Sequence, residues 1–263
     1  MLAYATKALL GDTRYHYWHF MAGYFFPVMT QDPPVALGED RFHQAHNDAK
    51  TVFVADCGPM NKMWEGIKDR KVKVGFPPDT NPIWLDAFDR FSIENLTIGD
   101  ITRFRHNIWN NFNRPDASDL RKRAFHNFTI VHRGSAPSEY EELGRTSGRE
   151  RRKFQNEKEI NDALLGYKNF NIFYPEEHTL EKQAQMFYKS DVVVMQHGAA
   201  MFNAIFMRPC SILIEVGERA WAFEGWARYC GVRRYFMKVK SFHDPINIQK
   251  LIKIIHHSTK LTT

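Results

Sequence analysis

Two nearly continuous apolar runs constrain the fold of this chain more than any other feature of its sequence. They are Asp191–Met195 and Ser211–Val216, and valine and isoleucine dominate both. A strand that is apolar along its whole length has both faces buried, which is typical of parallel sheets covered by helices on both sides. We therefore predict an α/β fold.

The second half of the chain alternates between strand and helix patterns. Further strands are predicted at Phe128–His132 and Phe170–Tyr174. Helices are predicted at Lys153–Leu165, Leu180–Tyr188 and Ala199–Met207, and a terminal helix carries Ile248, Leu251, Ile252 and Ile255 on one face. Such alternation favours right-handed βαβ units in a doubly wound parallel sheet.

The first half is less regular. We predict a helix before Gly11-Asp12, a second apolar helix that contains Tyr15–Phe26, and a strand at Thr51–Ala55. Segment 60–115, rich in proline and aromatic residues, is expected to be irregular. The predicted domains are residues 1–115 and 116–245, followed by a C-terminal helix, 246–263.

Composition narrows the function only a little. The chain has 263 residues, 43% hydrophobic and 25% charged, and a net charge of +6, which suits an anionic ligand without choosing among nucleotide, phosphate and nucleic acid. Three cysteines without CxxC spacing argue against a disulfide framework and favour a reducing compartment. No apolar run reaches the ~20 residues of a membrane span. We therefore expect a soluble cytoplasmic protein.

Polar residues that follow the predicted strands are the first candidates for a binding site, because open α/β sheets bind ligands beyond the carboxyl ends of their strands. Arg133, Tyr174, His197 and Glu215 meet this condition. Arg208 precedes a strand and therefore belongs to the opposite edge.

The turn at His197-Gly198-Ala199 is the most informative of these positions. A buried strand leads into it, and a helix follows that begins with small residues. Small residues let a ligand approach the backbone, and the free N–H groups of a helix start favour an anion such as a diphosphate. The alternative is an ordinary strand–turn–helix with a packed histidine.

The second half of the chain resembles family 61 of the glycosyltransferases, which includes plant xylosyl- and arabinosyltransferases and animal O-linked N-acetylglucosaminyltransferases. The likeness lies in a strand, His-Gly-Ala, helix, glutamate pattern and in an arginine that ends the first strand. The residues that carry it are Ile130 to Arg133, Arg151-Arg152, Asn156-Glu157, Leu180 to Gln183, Asp191 to Val194, His197 to Ala199, Asn203, Phe206, Pro209, Ile214-Glu215 and Trp221 to Glu224.

This resemblance implies a GT-B architecture, in which two Rossmann-like domains face a cleft. It also implies that residues 1–115 form the acceptor side, that residues 116–245 bind the nucleotide-sugar, and that the C-terminal helix, 246–263, packs back on the first domain. The chain is short for two full domains, so the N-terminal one is expected to be reduced. The implied activity is an inverting, metal-independent transfer of a sugar from a UDP-sugar to a glycan or glycoprotein hydroxyl. UDP-xylose is the favoured donor and UDP-N-acetylglucosamine the next, with no further cofactor. Gly198, Ala199 and Asn203 belong to the donor site on this reading.

Without a metal ion, the positive charge that neutralises the donor diphosphate has to come from the protein. The sequence has no Asp-x-Asp pair, and His256-His257 has no partners at metal-ligand spacing. We therefore expect Arg133, with Arg152 from the Arg149, Arg151 and Arg152 cluster, to neutralise the diphosphate. The alternative for that cluster is a solvated helix start.

Glu215 and Tyr174 are further candidates for contacts with the donor, and each also has an ordinary structural explanation. Glu215 suits the ribose hydroxyls because a carboxylate accepts from two adjacent OH groups, but it could instead pair with a neighbouring arginine. Tyr174, together with Phe173, could flank the base or simply pack at the strand end.

The general base is expected in the first domain. Asp56 is the first candidate because it ends the clear strand of that half, and His19 is its main rival, ahead of His16, Asp86 and Asp89. A turn-capping aspartate is the alternative for Asp56.

Two other functions stay open at this stage. One is nucleic-acid binding through Arg121 to Arg123 and Arg149 to Lys153, although these basic runs are short and no nucleic-acid motif accompanies them. The other is glycan binding without catalysis. We expect a UDP-sugar and a glycan acceptor as partners, and neither nucleic acid nor a membrane span.

Overall fold

A computed structural model of the chain describes residues 2–6, 17–30, 51–76, 83–85, 96–116, 127–135, 153–218 and 223–260. The chain divides into two compact units, Met1–Asn113 and Arg114–Thr263. Each unit has its own parallel sheet.

The first unit contains a four-stranded sheet. Its strands are β1 (Leu2–Thr6), β2 (Thr51–Val54), β3 (Lys71–Val74) and β4 (Ile83–Leu85), in the order β3-β2-β1-β4. All pairs are parallel. This order is that of the first half of a Rossmann sheet, so the unit is α/β as predicted, and the described sheet is one strand smaller than that of the second unit.

Two predictions for the first half were wrong. The segment before Gly11 holds strand β1 rather than a helix, because a short apolar run has no decisive periodicity and pairing with β2 and β4 determines its state. Segment 60–115 is not irregular throughout. Besides β3 and β4 it contains helix α3 (Ile98–Asn111), which starts with a capping box in which Thr97 Oγ1 accepts from the Asp100 amide and Asp100 accepts from the Thr97 amide.

The apolar helix predicted around Tyr15–Phe26 is confirmed over its described part. It comprises α1 (Tyr17–Phe20), a π-helical turn (Met21–Phe25) and α2 (Phe26–Thr30). The Tyr24 hydroxyl accepts a hydrogen bond of 2.6 Å from the Ala55 amide at the end of β2. Burial raises the pKa of Tyr24 above its ordinary value. This bond fixes the turn that begins at Asp56 against the helix.

The second unit contains a five-stranded sheet whose strands are all parallel. They are β5 (Phe128–Val131), β6 (Phe170–Phe173), β7 (Val192–Gln196), β8 (Ile212–Gly217) and β9 (Arg233–Lys238), in the order β6-β5-β7-β8-β9. The first four are the strands that the sequence predicts, each within one residue. β9 was not predicted. The doubly wound α/β class is thereby confirmed, because this order is that of flavodoxin-like sheets.

Helices cover this sheet. They are α4 (Glu157–Leu164), α5 (Leu180–Lys189), α6 (Phe223–Tyr229) and α7 (Ile248–Lys260), with shorter 3₁₀ helices at Pro175–Glu177 and Ala199–Phe206. Leu251 and Ile255 of α7 lie in the core of this second unit, with Ile130, Val194 and Ile214 of the strands. The packing of α7 on the first unit stays a prediction.

Among the helices that the structure describes, none combines the length and apolar character needed to cross a membrane.

Candidate active site

The strand order places a ligand-binding crevice between β5 and β7. From β5 the chain passes to β6 on one side, and β7 then pairs on the other side of β5. Doubly wound sheets bind ligands at such a switch point, beyond the carboxyl ends of the strands. Arg133 follows β5 and His197-Gly198 follows β7, so the structure brings these predicted residues to the two sides of one crevice.

Arg133 and Gly198 are in close contact there. A β-carbon built on Gly198 would lie 1.9 Å from Nη2 and 3.1 Å from Cζ of Arg133. Gly198 has φ 164°, an extended conformation that any residue adopts, so glycine is required here for space and not for backbone freedom. The missing side chain lets the half-buried guanidinium lie directly over the turn.

His197 connects this site to β8 and β9 through hydrogen-bonded side chains. Its Nδ1 lies 2.5 Å from Oε1 of Glu215, and Oε2 of Glu215 accepts from Nε of Arg234 at 2.5 Å. Glu215 is 0% exposed. A buried carboxylate is tolerated when it is paired and its oxygens accept hydrogen bonds.

The alternative expected for Glu215, a pair with a neighbouring arginine, is present in the structure, and the other carboxylate oxygen faces His197. Its contact with ribose hydroxyls stays a prediction. Sequence reasoning missed Arg234. The one signal for it was a glutamate inside the apolar strand Ser211–Val216, which calls for a cation partner, but the strand that supplies the partner was not predicted.

Gly217 gives His197 its position. A β-carbon on Gly217 would stand 2.9 Å from Cβ of His197 and 3.3 Å from a ring carbon of Phe236. Two further rings pack on the imidazole, with centroid distances of 4.9 Å to Phe223 and 6.1 Å to Phe242. The imidazole is thus held on several sides.

A second polar cluster surrounds His132, the last residue before Arg133. His132 Nδ1 lies 2.9 Å from Glu157 Oε1, and Nε2 lies 2.9 Å from Asn161 Oδ1. Tyr174 packs its ring on His132 at 5.6 Å and directs its hydroxyl to Glu157 at 3.5 Å. The sequence predicts Tyr174 but not His132 or Glu157. The cluster ties the end of β5 to the start of α4 and so supports the backbone that carries Arg133.

Asn203, which was predicted for the donor site, and Phe173, which was one candidate to flank the base, both lie in the interior. Phe173 is buried and stacks on His178 at 4.8 Å, so it packs in the core and does not flank a base. Asn203 is 0% exposed, and its amide donates to Gln183 Oε1 at 3.0 Å. Gln183 in turn donates to the carbonyl oxygens of Pro175 and His178. Asn203 thereby links the 3₁₀ helix that starts at Ala199 to α5, which is a structural role.

Asp56 forms a turn in the first unit, as the plainer alternative suggested. Its Oδ1 accepts from the Gly58 amide at 2.9 Å and from Asn61 Nδ2 at 2.8 Å, while the residue stays exposed. An exposed carboxylate after a strand can also act on a solvent-borne acceptor, so its role as base stays a prediction. His19 lies in α1, but its side chain is outside the described part of the chain.

The remaining predicted residues lie outside the described residues. They are His16, Asp86, Asp89, Arg149, Arg151 and Arg152. In the described ranges, no group of three or more His, Cys, Asp or Glu side chains is arranged to hold a metal ion.

The family model for Glycosyltransferase 61 matches residues 17–214, well over half of the chain. The chain belongs to glycosyltransferase family 61. The match includes Arg133 and the His197-Gly198-Ala199 turn and ends just before Glu215. The protein is thus a glycosyltransferase, an enzyme with a sugar donor and an acceptor, and the predicted family is confirmed.

Other comparisons add little. No curated protein matches the chain. Among solved structures, E. coli heptosyltransferase WaaC with ADP is similar over 98% of this chain and 100% of its own, with 12% sequence identity and a TM-score of 0.35. A likeness of that size supports no conclusion about this chain.

Proposed function

We propose that this family 61 glycosyltransferase moves a sugar from a UDP-sugar to a hydroxyl of a glycan or glycoprotein, with inversion at the anomeric carbon and without a metal ion. UDP-xylose is the preferred donor in this proposal and UDP-N-acetylglucosamine the second. The observation that supports it best is the contact of the Arg133 guanidinium with Gly198 at the switch point of the sheet.

The leaving diphosphate explains why that contact matters. When the bond from the anomeric carbon to the diphosphate breaks, the electron pair and the negative charge stay on the diphosphate. A guanidinium presents several donors in a plane that fits phosphate oxygens, and it is always charged. Arg133, held over the small residues of the turn, would supply this charge together with backbone amides of the turn.

The acceptor half of the reaction needs a base. As the acceptor oxygen bonds to the anomeric carbon, its proton must pass to a group within hydrogen-bond reach. We propose Asp56 of the first unit for this role, with His19 as the alternative. Asp56 is exposed and follows β2, and the bonds from the Gly58 amide and the Asn61 side chain hold its carboxylate in the turn.

A donor panel tests this function. The protein is incubated with UDP-α-D-xylose, UDP-N-acetylglucosamine, UDP-glucose and ADP-glucose in EDTA, and proton NMR follows sugar release to water or to added glycans. Release of the β-anomer from a UDP-sugar supports the proposal. Binding of UDP without turnover favours a glycan-binding protein, and binding of DNA or RNA without binding of UDP favours the nucleic-acid alternative.

We also propose a cytoplasmic site of action, since three cysteines without CxxC spacing suit a reducing compartment. Activity that survives only in oxidising buffer would contradict it.

A further inference from the structure

A chain of three polar side chains links β7, β8 and β9 of the second sheet. His197 follows β7, Glu215 lies in β8 and Arg234 lies in β9, and these strands are neighbours. The side chains of Glu215 and Arg234 are 0% and 8% exposed. Arg234 lies beyond residues 17–214, which match the family model, and the sequence patterns did not predict it as a site residue.

The chemistry of these groups fixes where one hydrogen lies. The Nε–H of an arginine can only donate, so Oε2 of Glu215 accepts from it. Held beside this cation, Glu215 is a carboxylate, and a carboxylate has no hydrogen to give. Oε1 therefore accepts from His197 as well, and the hydrogen must be on Nδ1 of the imidazole.

We propose that Arg234 is a positioning residue that sets the tautomer of His197 through Glu215. In the neutral ring, the Nδ1 hydrogen leaves Nε2 as the acceptor nitrogen. The inference rests on the proposed function in one respect: His197 adjoins Gly198, so the ring would meet a sugar nucleotide with this hydrogen-bonding pattern.

The burial of Arg234 agrees with a role directed at Glu215. Its Nη2 is buried without a hydrogen-bond partner among the described residues, and its Nη1 lies 3.8 Å from the exposed carboxylate of Glu224. An unpartnered buried donor is unfavourable. The buried guanidinium is therefore held by the Nε bond to Glu215 and by a cation–π contact with Phe236 at 5.1 Å, and of these the bond to Glu215 leads to His197.

Glu215→Gln tests the tautomer directly. The amide has one accepting and one donating end, and Arg234 Nε–H requires the accepting end. The amide NH₂ then faces His197 and donates to Nδ1, so the ring hydrogen must move to Nε2. Ring nitrogen shifts of ¹⁵N-histidine-labelled protein report the tautomer, and the His197 signals are assigned by their loss in His197→Gln. If Nδ1 keeps its hydrogen in folded Glu215→Gln, the proposal is overturned.

A double variant tests whether Arg234 is the cause. Glu215→Gln/Arg234→Met removes both charges, keeps an unbranched stem as long as the arginine chain up to Nε, and frees the amide to turn its oxygen to His197. We expect the share of Nε2–H tautomer to fall below that of Glu215→Gln. Glu215→Gln/Arg233→Met is the matched control and should keep the inverted tautomer, because Arg233 contacts the Cys210 carbonyl instead. An equal share in both double variants would overturn the role of Arg234.

Kinetics add a readout that separates this inference from the proposed function. With the UDP-sugar turned over by the wild type, Glu215→Gln should lose about tenfold or more in kcat/KM, the size of one hydrogen bond to a charged group. Its thermal midpoint should also fall, because Arg234 stays buried without its counter-charge, so the rates are compared well below the midpoint of the variant. Unchanged kcat/KM in a variant with the inverted tautomer would overturn the link to the donor site. If the wild type turns over no UDP-sugar, the proposed function fails, and the NMR results still decide whether Arg234 sets the tautomer.

Discussion

The guanidinium of Arg133 occupies the space in which a side chain at Gly198 would lie: a β-carbon there would stand 1.9 Å from Nη2. The two residues come from the turns after β5 and β7, on either side of the switch point. Because Gly198 has no side chain, the charged guanidinium of Arg133 can lie over this turn.

Gly198→Ala should weaken UDP binding without unfolding the protein. The clash is with the end of a flexible side chain, so the guanidinium can swing away, but it then leaves the proposed diphosphate site. We expect a loss of about tenfold, the value of one hydrogen bond to a charged group, and a larger loss for Gly198→Val. Calorimetric titration with UDP measures it. Gly166→Ala is the control, since a β-carbon there meets nothing within 4 Å; equal affinity in both variants would contradict the prediction.

Arg133→Ala should cost about 1.5–3 kcal/mol of UDP binding, or roughly ten- to hundredfold in affinity. If Gly198→Ala acts through this arginine, the two changes are not additive, and Arg133→Ala/Gly198→Ala should bind UDP no more weakly than Arg133→Ala. Additive losses would show that the glycine acts on the ligand by itself. Arg228→Ala, which removes an exposed arginine of α6, controls for net charge.

Chelation of divalent cations should leave turnover intact. In the proposed reaction the diphosphate charge is met by Arg133 and backbone amides, so EDTA removes nothing that the reaction uses. Initial rates with EDTA and with added Mn²⁺ or Mg²⁺ measure this. A strict requirement for either ion would overturn the metal-free mechanism.

Asp56→Asn should reduce turnover by about 10²–10⁴-fold, the usual contribution of a general base. UDP affinity and the thermal midpoint should stay unchanged, because an amide oxygen can still accept from the Gly58 amide. His19→Ala is measured beside it, and a much larger loss there would move the base to His19. If Asp56→Asn keeps more than about a tenth of the turnover, Asp56 is only a turn former.

Gly217→Ala should disturb the position of His197. The added methyl would lie 2.9 Å from Cβ of His197, which is part of a packed strand end and cannot move freely. Overpacking of this kind costs about 1–3 kcal/mol of stability. Chemical unfolding measures that loss, and UDP affinity should fall with it. Full stability and full affinity would show that the turn is looser than the structure indicates.

The sequence predicts β5, β7 and β8 of the second unit well because these strands are buried along their whole length and leave an apolar signal. β1 and β9 carry no such signal. β1 has alanines between Leu2, Tyr4 and Thr6, and β9 begins with Arg233-Arg234 and ends at Lys238, so pairing with neighbouring strands determines their state. The capped helix α3 was missed although Thr97 and Asp100 carry the start signal in the sequence.

The site residues that the sequence predicts are likewise those that depend only on the predicted strands. The rule of strand ends predicts Arg133, His197 and Gly198, since it needs only the strands and their direction. It cannot predict how Glu215 is partnered, because that depends on Arg234, a residue in a strand that was not predicted. The burial of Asn203 could not be predicted from the sequence either, because its hydrogen-bond partner Gln183 belongs to another helix.

A crystal structure of the protein with UDP, grown in EDTA, would show where the diphosphate binds. We expect it beyond the carboxyl ends of β5 and β7, within hydrogen-bond distance of the Arg133 guanidinium and of the backbone amides at Gly198 and Ala199. A diphosphate bound elsewhere, or no UDP bound until a metal ion is added, would contradict it.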